Sequence, residues 1–140
     1  MIMTVGHSNV SLEEFIYQLK EHQVKKIIDV RFVPYSKHVP HFNQHVIKPA
    51  LIAEGIAYIP AGHKLGNSPS ISQEVFLEGV KKVMRMAETE EGICLMCSEK
   101  DYQSCHRYFL ITNTMKKLDE NIDIVHLVSD QRIYDNELLF

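Results

Sequence analysis

The sequence predicts a single three-layer α/β domain, with a mostly parallel sheet of about five strands and helices on both faces. Three observations carry this expectation. Short Ile- and Val-rich runs alternate with amphipathic stretches of helical period all along the chain. A length of 140 residues suits one domain with a substantial core. No repeat, low-complexity tract or linker divides the chain, so residues 1–140 read as one unit.

Taken in order, Ile2–Val5 is the first strand candidate, followed by the turn Gly6-His7-Ser8-Asn9. Ser11 then opens a helix with Glu14 completing a capping box, and Leu12, Phe15, Ile16 and Leu19 form its apolar stripe. Lys26–Arg31 is a second strand. From Phe32 to about His45 the chain is irregular, interrupted by Pro34 and Pro40. A shorter helix is expected from the mid-forties to Glu54, stopped by Gly55, and Pro49 suits it only in the first turn. Ile56–Ile59 is a third strand, and Pro60–Pro69 is a loop punctuated by Gly62 and Gly66. Ser70 or Ser72 caps the next helix, which buries Phe76, Val80, Val83, Met84 and Ala87. Gly92–Cys97 is a fourth strand. Ser104 caps a helix carrying Tyr108, Ile111, Met115 and Leu118, and Ile124–Val128 is a fifth strand. The tail Leu138-Leu139-Phe140 is expected to pack internally or at a homodimer contact.

Composition narrows the function classes. A chain 45% hydrophobic and 24% charged is globular rather than disordered. Fifteen basic against eighteen acidic residues give a charge of −3, which does not support a dedicated nucleic-acid binder. No apolar run approaches the roughly 18 residues of a membrane span, so no membrane partner is expected. Three cysteines, an odd number, with no signal-peptide pattern fit a reducing compartment, and cytoplasmic location is the expectation.

In a parallel sheet the segments after each strand share one edge, where ligands bind. Those segments are unusually reactive here. Six of the eight histidines follow strands, the exceptions being His22 and His126. The first such segment carries His7, Ser8 and Asn9. The second carries Asp29 and Arg31, then Phe42 and Asn43. The third carries His63 and Lys64; the fourth carries Cys97, Glu99, Cys105, His106 and Arg107; the fifth carries Ser129 and Asp130.

The segment Cys97-x7-Cys105-His106-Arg107 is the sharpest signal. Cys105 at a helix start, near Arg107 or Lys100, would be shifted toward thiolate, although a small buried hydrophobe is the alternative reading. Cys94 reads as core. Metal binding is disfavoured, because Cys94 and Cys97 point to opposite faces of a strand. A phosphatase-like Cys-x5-Arg loop is excluded, since Gln103 stands at the required position. Asp29 and Arg31 share a strand face and form either an internal ion pair or part of a ligand site. Arg31, Arg107 and Lys64 together would make an anion pocket. His7 and Glu99 are candidate proton carriers.

Gly6-His7-Ser8-Asn9, Asp29-Val30-Arg31 with Pro34 and Ser36, Phe42-Asn43, Gly55-Ile56-Ala57-Tyr58, Leu65-Gly66, Cys97-Ser98-Glu99-Lys100 and Cys105-His106-Arg107 occur in that order. In these motifs the chain resembles the uncharacterised proteins grouped as domain of unknown function 488, from Thr4 to about Leu127. Val10 and Asn67 depart from the residues common there. The resemblance implies no settled reaction and no named cofactor.

The functional expectation is a small enzyme acting on an anionic ligand, a nucleotide or another phosphorylated molecule. Cys105 or Cys97 would be the nucleophile, His7 and Glu99 would move protons, and Arg31 and Arg107 would hold the anion. Ser8, Asn9, Asp29, Phe42, Asn43, His63, Lys64 and His106 complete the expected binding residues. Two alternatives stand beside it. One is a non-catalytic module for a nucleotide or nucleic-acid end. The other is a thiol redox or metal protein using Cys97 and Cys105.

Overall fold

A computed structural model describes residues 1–128 and 131–134. Ser129, Asp130 and the tail 138–140 lie outside the described residues. Six strands form one sheet: β1 (Ile2–Gly6), β2 (Lys26–Asp29), β3 (Ala57–Pro60), β4 (Ile93–Cys97), β5 (Ile124–Val128) and β6 (Gln131–Tyr134). Their spatial order is β3-β2-β4-β1-β5-β6. The first five strands are parallel, and β6 pairs with β5 antiparallel. The sixth strand was not anticipated, since Gln131–Tyr134 is too short and polar to announce itself.

Apolar side chains fill both faces of the sheet, because parallel strands are buried on both sides. On one face, Met3, Val5, Ile27, Cys94 and Met96 pack with helices α1 (Leu12–Glu21) and α2 (Gln44–Ala53). On the other, Ile28, Ile93, Leu95 and Cys97 pack with α4 (Gln73–Thr89) and α5 (Asn113–Leu118). The α/β/α expectation therefore holds, and Cys94 and Cys97 do point to opposite layers. Among the described residues, no helix is long and apolar enough to cross a membrane.

Local chemistry explains most boundaries. Ser11 Oγ accepts from Glu14 N at 3.1 Å, and Ser72, rather than Ser70, caps α4 through Val75 N at 3.2 Å. Pro49 lies inside α2 instead of in its first turn. It removes one backbone donor there, and Pro49 and His45 both face solvent, where the unmatched carbonyl of residue 45 can be hydrated. The segment expected as a loop after β3 contains a single helical turn, α3 (Gly62–Leu65).

The helix after β4 departs furthest from expectation. Ser104 sits in a short 3-10 turn, Tyr102–Ser104, which is capped by Asp101. The following helix begins as a π-helix, Arg107–Thr112, and continues into α5. Such wide turns recur at functional sites. Here the π turn starts on Arg107, which it carries under the sheet edge.

Candidate functional site

Two clusters meet at the carboxyl edge of β1, β2 and β4. Strand register brings them together: Gly6 lies beside Cys97, and Asp29 lies beside Met96.

The first cluster is built on Asp29. Its carboxylate accepts Arg31 Nε at 2.9 Å, Arg31 Nη2 at 2.7 Å and the Arg31 backbone N–H at 3.1 Å. Tyr58 Oη donates to the same carboxylate. Fork-to-fork pairing of this kind fixes the guanidinium plane. Arg31 is held charged because Asp29 outweighs the burial that would otherwise lower its pKa. Arg31 Nη1 lies 3.3 Å from His7 Nε2, and His7 Nδ1 lies 2.7 Å from the Ser8 carbonyl. That pattern puts the ring proton on Nδ1 and makes Nε2 the acceptor. Burial, with Arg31 adding to it, pulls the His7 pKa down to about 4, so the ring is neutral at pH 7. Beneath it His7 stacks on Phe42, with ring centroids 4.3 Å apart.

The second cluster is built on Arg107, which is fully buried. Its Nε donates to Thr4 Oγ1 at 3.2 Å, and Nη2 reaches the Lys100 carbonyl at 3.5 Å. Nη1 donates to Cys97 Sγ at 2.8 Å and to the Glu99 carbonyl. Among the described residues these partners include no carboxylate. A buried guanidinium requires a counter-charge, and Cys97 is the group able to supply one. The neighbouring Cys105 thiol, together with Arg107, brings the Cys97 pKa down to about 6 against the opposing effect of burial. Cys105 shifts the other way: as donor to Cys97, and buried, it stays protonated. His106 completes the cluster, with Nδ1 3.7 Å from Cys105 Sγ and Nε2 3.3 Å from the Val30 carbonyl. Burial lowers its pKa.

Backbone shape makes the second cluster possible. A Cβ at Gly6 would stand 1.7 Å from the Glu99 carbonyl oxygen and 2.7 Å from Arg107 Nη1. Only glycine lets the loop after β4 close over β1. Ser8, at φ 53°, then turns the chain away in a left-handed conformation that side chains seldom adopt.

A cavity of about 410 Å3 lies between the clusters, and its polar wall contains His7, Arg31, Cys97, Glu99, Cys105 and His106. These six were expected to converge, and they do. Several other expected residues play different parts. Arg107 faces the thiol and the loop carbonyls rather than the cavity. His7 is held against Arg31 as a neutral ring, which does not suit the proton-carrying role expected of it. The thiolate expected at Cys105 belongs to Cys97, because the guanidinium reaches Cys97 directly, whereas Cys105 receives a backbone N–H at 3.5 Å. Asp29 stands behind Arg31, and Phe42 lies under His7. Asn43 Oδ1 accepts from Ser36 N at 2.7 Å and ties the irregular loop. His63 is exposed on α3, and Lys64 is paired with Glu78 at 2.7 Å. Ser8 and Asn9 form the turn beside the cavity without lining it.

Sequence reading missed Thr4, whose hydroxyl accepts from Arg107, and Tyr58, whose hydroxyl donates to Asp29, because both sit inside strand patterns that look like core. It also missed Phe32 and Phe109, which line the cavity, and placed Tyr35 at this edge without giving it a binding role. Phe109 carried a usable signal, as an aromatic residue off the apolar stripe of its helix. Among the described residues, no group of three or more His, Cys, Asp or Glu is placed to hold a metal ion.

No curated protein and no solved structure matches the chain. A family model does, over residues 11–76 and 70–113. The match takes in the Asp29-Val30-Arg31 segment and both cavity cysteines, though not the Gly6-to-Asn9 turn. With most of its length matched, the chain belongs to the family described as domain of unknown function DUF488.

Proposed function

We propose that this protein is a thiol-dependent enzyme acting on an anionic, phosphorylated ligand, with Cys97 as nucleophile. One observation carries the reading: the Arg107 guanidinium, without a carboxylate partner among the described residues, lies 2.8 Å from a cysteine that lines a cavity. Ionisation of Cys97 gives a reactive sulfur at neutral pH. Arg31 commits three N–H groups to Asp29 and His7, so two of the guanidinium's five remain for an anion. Cys105 holds the thiolate in place. Glu99, exposed beside the cavity, is the remaining candidate proton carrier.

For a phosphomonoester, an S–P bond forms at Cys97 as the ester P–O bond breaks. The leaving oxygen takes a proton from water through the Glu99 carboxylate. The hydroxide so formed cleaves the S–P bond, releasing inorganic phosphate and restoring the Cys97 thiolate. The test is turnover of a panel of phosphomonoesters by the wild type and Cys97→Ser, with the alkylated cysteine identified by mass. Turnover that survives Cys97→Ser, or an alkylation profile at Cys97 with the midpoint of an ordinary thiol, would sink the reading. Ligand binding without turnover, falling steeply with salt, would select a binding module instead.

A second reading, a thiol redox protein, is favoured by the two cysteines, Cys97 and Cys105, lining one cavity. Peroxide would convert the two thiols to one disulfide, being itself reduced to water. Reversible loss of two titratable thiols, with dithiol turnover but no phosphoester turnover, selects that reading.

A further inference from the structure

We propose that the anion is carried on a nucleobase: the ligand is a mononucleotide whose base lies among the aromatic side chains of the cavity while its phosphate meets Arg31. This rests on the enzyme reading above and adds what the anion is attached to.

The first support is where this protein leaves large apolar side chains in water. Nine such residues are exposed among those described, and four of them line this one cavity. They are Phe32 (46% exposed), Val33 (63%), Tyr35 (55%) and Phe109 (46%). Scattered exposed apolar residues are ordinary, but several gathered around a polar floor mark a ligand surface.

The rings are also held in position. Phe32 packs on Gly66, where a Cβ would lie 2.7 Å from the Phe32 Cβ. Tyr35 stacks on His45 with centroids 6.0 Å apart, and its loop is pinned by the Ser36–Asn43 hydrogen bond. Phe109 comes from a separate element, the π turn that buries Arg107 two residues earlier. The turn that charges Cys97 thus presents an aromatic face to the ligand.

Polar side chains select a heteroaromatic ring over a plain aryl group or an alkyl chain. Ser36, Asn67 and Ser104 line the same cavity, and Asn67 offers both an acceptor and donors to a base edge. The volume, about 410 Å3, lies in the range of small-molecule sites.

Calorimetric titration of the intact protein tests this with four ribonucleoside monophosphates, ribose 5-phosphate, para-nitrophenyl phosphate and the free nucleosides. At least one mononucleotide should bind about tenfold or more tightly than ribose 5-phosphate, the scale of base–aromatic stacking. It should also exceed its own nucleoside and the nitrophenyl ester. Phe109→Ala should bring its affinity down to that of ribose 5-phosphate; Phe109→Leu, which keeps bulk without a π face, replaces it if the alanine variant fails to fold. Ribose 5-phosphate matching every mononucleotide overturns the proposal, as does a nitrophenyl ester that binds equally well. Cys97-dependent turnover without ring preference would leave the enzyme reading standing and remove this one. Ring preference with an unreactive Cys97 would do the reverse.

Discussion

Two buried arginines stand at the same edge of the sheet and are balanced in opposite ways. Arg31 meets a carboxylate, Asp29, in a bidentate pair, with a neutral His7 on its remaining side. Arg107 meets two backbone carbonyls, a threonine hydroxyl and the Cys97 sulfur. The first guanidinium is neutralised by a carboxylate that holds it in a bidentate pair. The second transfers its need for a counter-charge onto a thiol, which ionises at neutral pH only when held this way. One arginine is therefore fixed in the wall of the cavity, while the other activates a residue within it.

The largest effect that separates the clusters should come from Gly6→Ala. Its methyl group would collide with the Glu99 carbonyl and Arg107, leaving Asp29 and Arg31 untouched. A loss of about 4 kcal/mol or more in denaturant unfolding is expected, with the Cys97 alkylation midpoint returned to that of an ordinary thiol. A smaller loss with an unchanged midpoint would mean that the loop after β4 closes without glycine.

Arg107→Met removes the cation and keeps most of the bulk. It should cost about 3–5 kcal/mol and abolish rapid alkylation at pH 7. In the wild type, alkylation of Cys97 should rise through about pH 6. The stability windows of the two clusters then differ. A depressed thiol pKa contributes stability that is complete above the unfolded value, about 8.5, and is lost as pH falls through the folded one. His7, neutral when folded down to about pH 4, makes the protein lose stability between about pH 6.5 and that value, because only the unfolded chain takes up the proton. Unfolding measured against pH should show the upper window vanish in Arg107→Met and the lower one persist.

Asp29→Asn breaks the other pair. Arg31 keeps some access to water, so the expected cost is lower, about 1.5–3 kcal/mol. Nucleotide and phosphate affinity should fall while the Cys97 midpoint stays in place. A midpoint that moves with Asp29 would show the clusters acting as one. Smallest is Cys105→Ala, which removes one donor to Cys97. Its alkylation midpoint should climb toward that of an ordinary thiol, whereas Cys105→Ser, with a hydroxyl donor, should hold it near the wild-type position.

Much of the fold was legible because its elements are local. Ser11 and Ser72 cap helices by reaching three residues ahead, and the apolar stripes of α1 and α4 repeat at helical period. The π turn was not legible, since its register is set by burying Arg107 rather than by its own propensity. The edge loops were correctly gathered, yet Lys64, His63 and Asn43 were given to a cavity they do not line. Loop side chains point where tertiary contacts send them, and an exposed Glu78 was enough to claim Lys64.

What the sequence determined by itself was the alternation of strand and helix, and with it the edge at which His7, Arg31, Cys97 and Cys105 must emerge. That follows from periodicity and from parallel strands sharing a direction. Only the tertiary structure decided which cysteine ionises. Cys97 and Arg107 are ten residues apart, a spacing that matches no familiar short loop. They meet because Gly6, far earlier in the chain, leaves room for the Glu99 carbonyl. Charge on a buried thiol depends on distances of a few ångströms between segments remote in sequence, and those distances exist only once the sheet has formed.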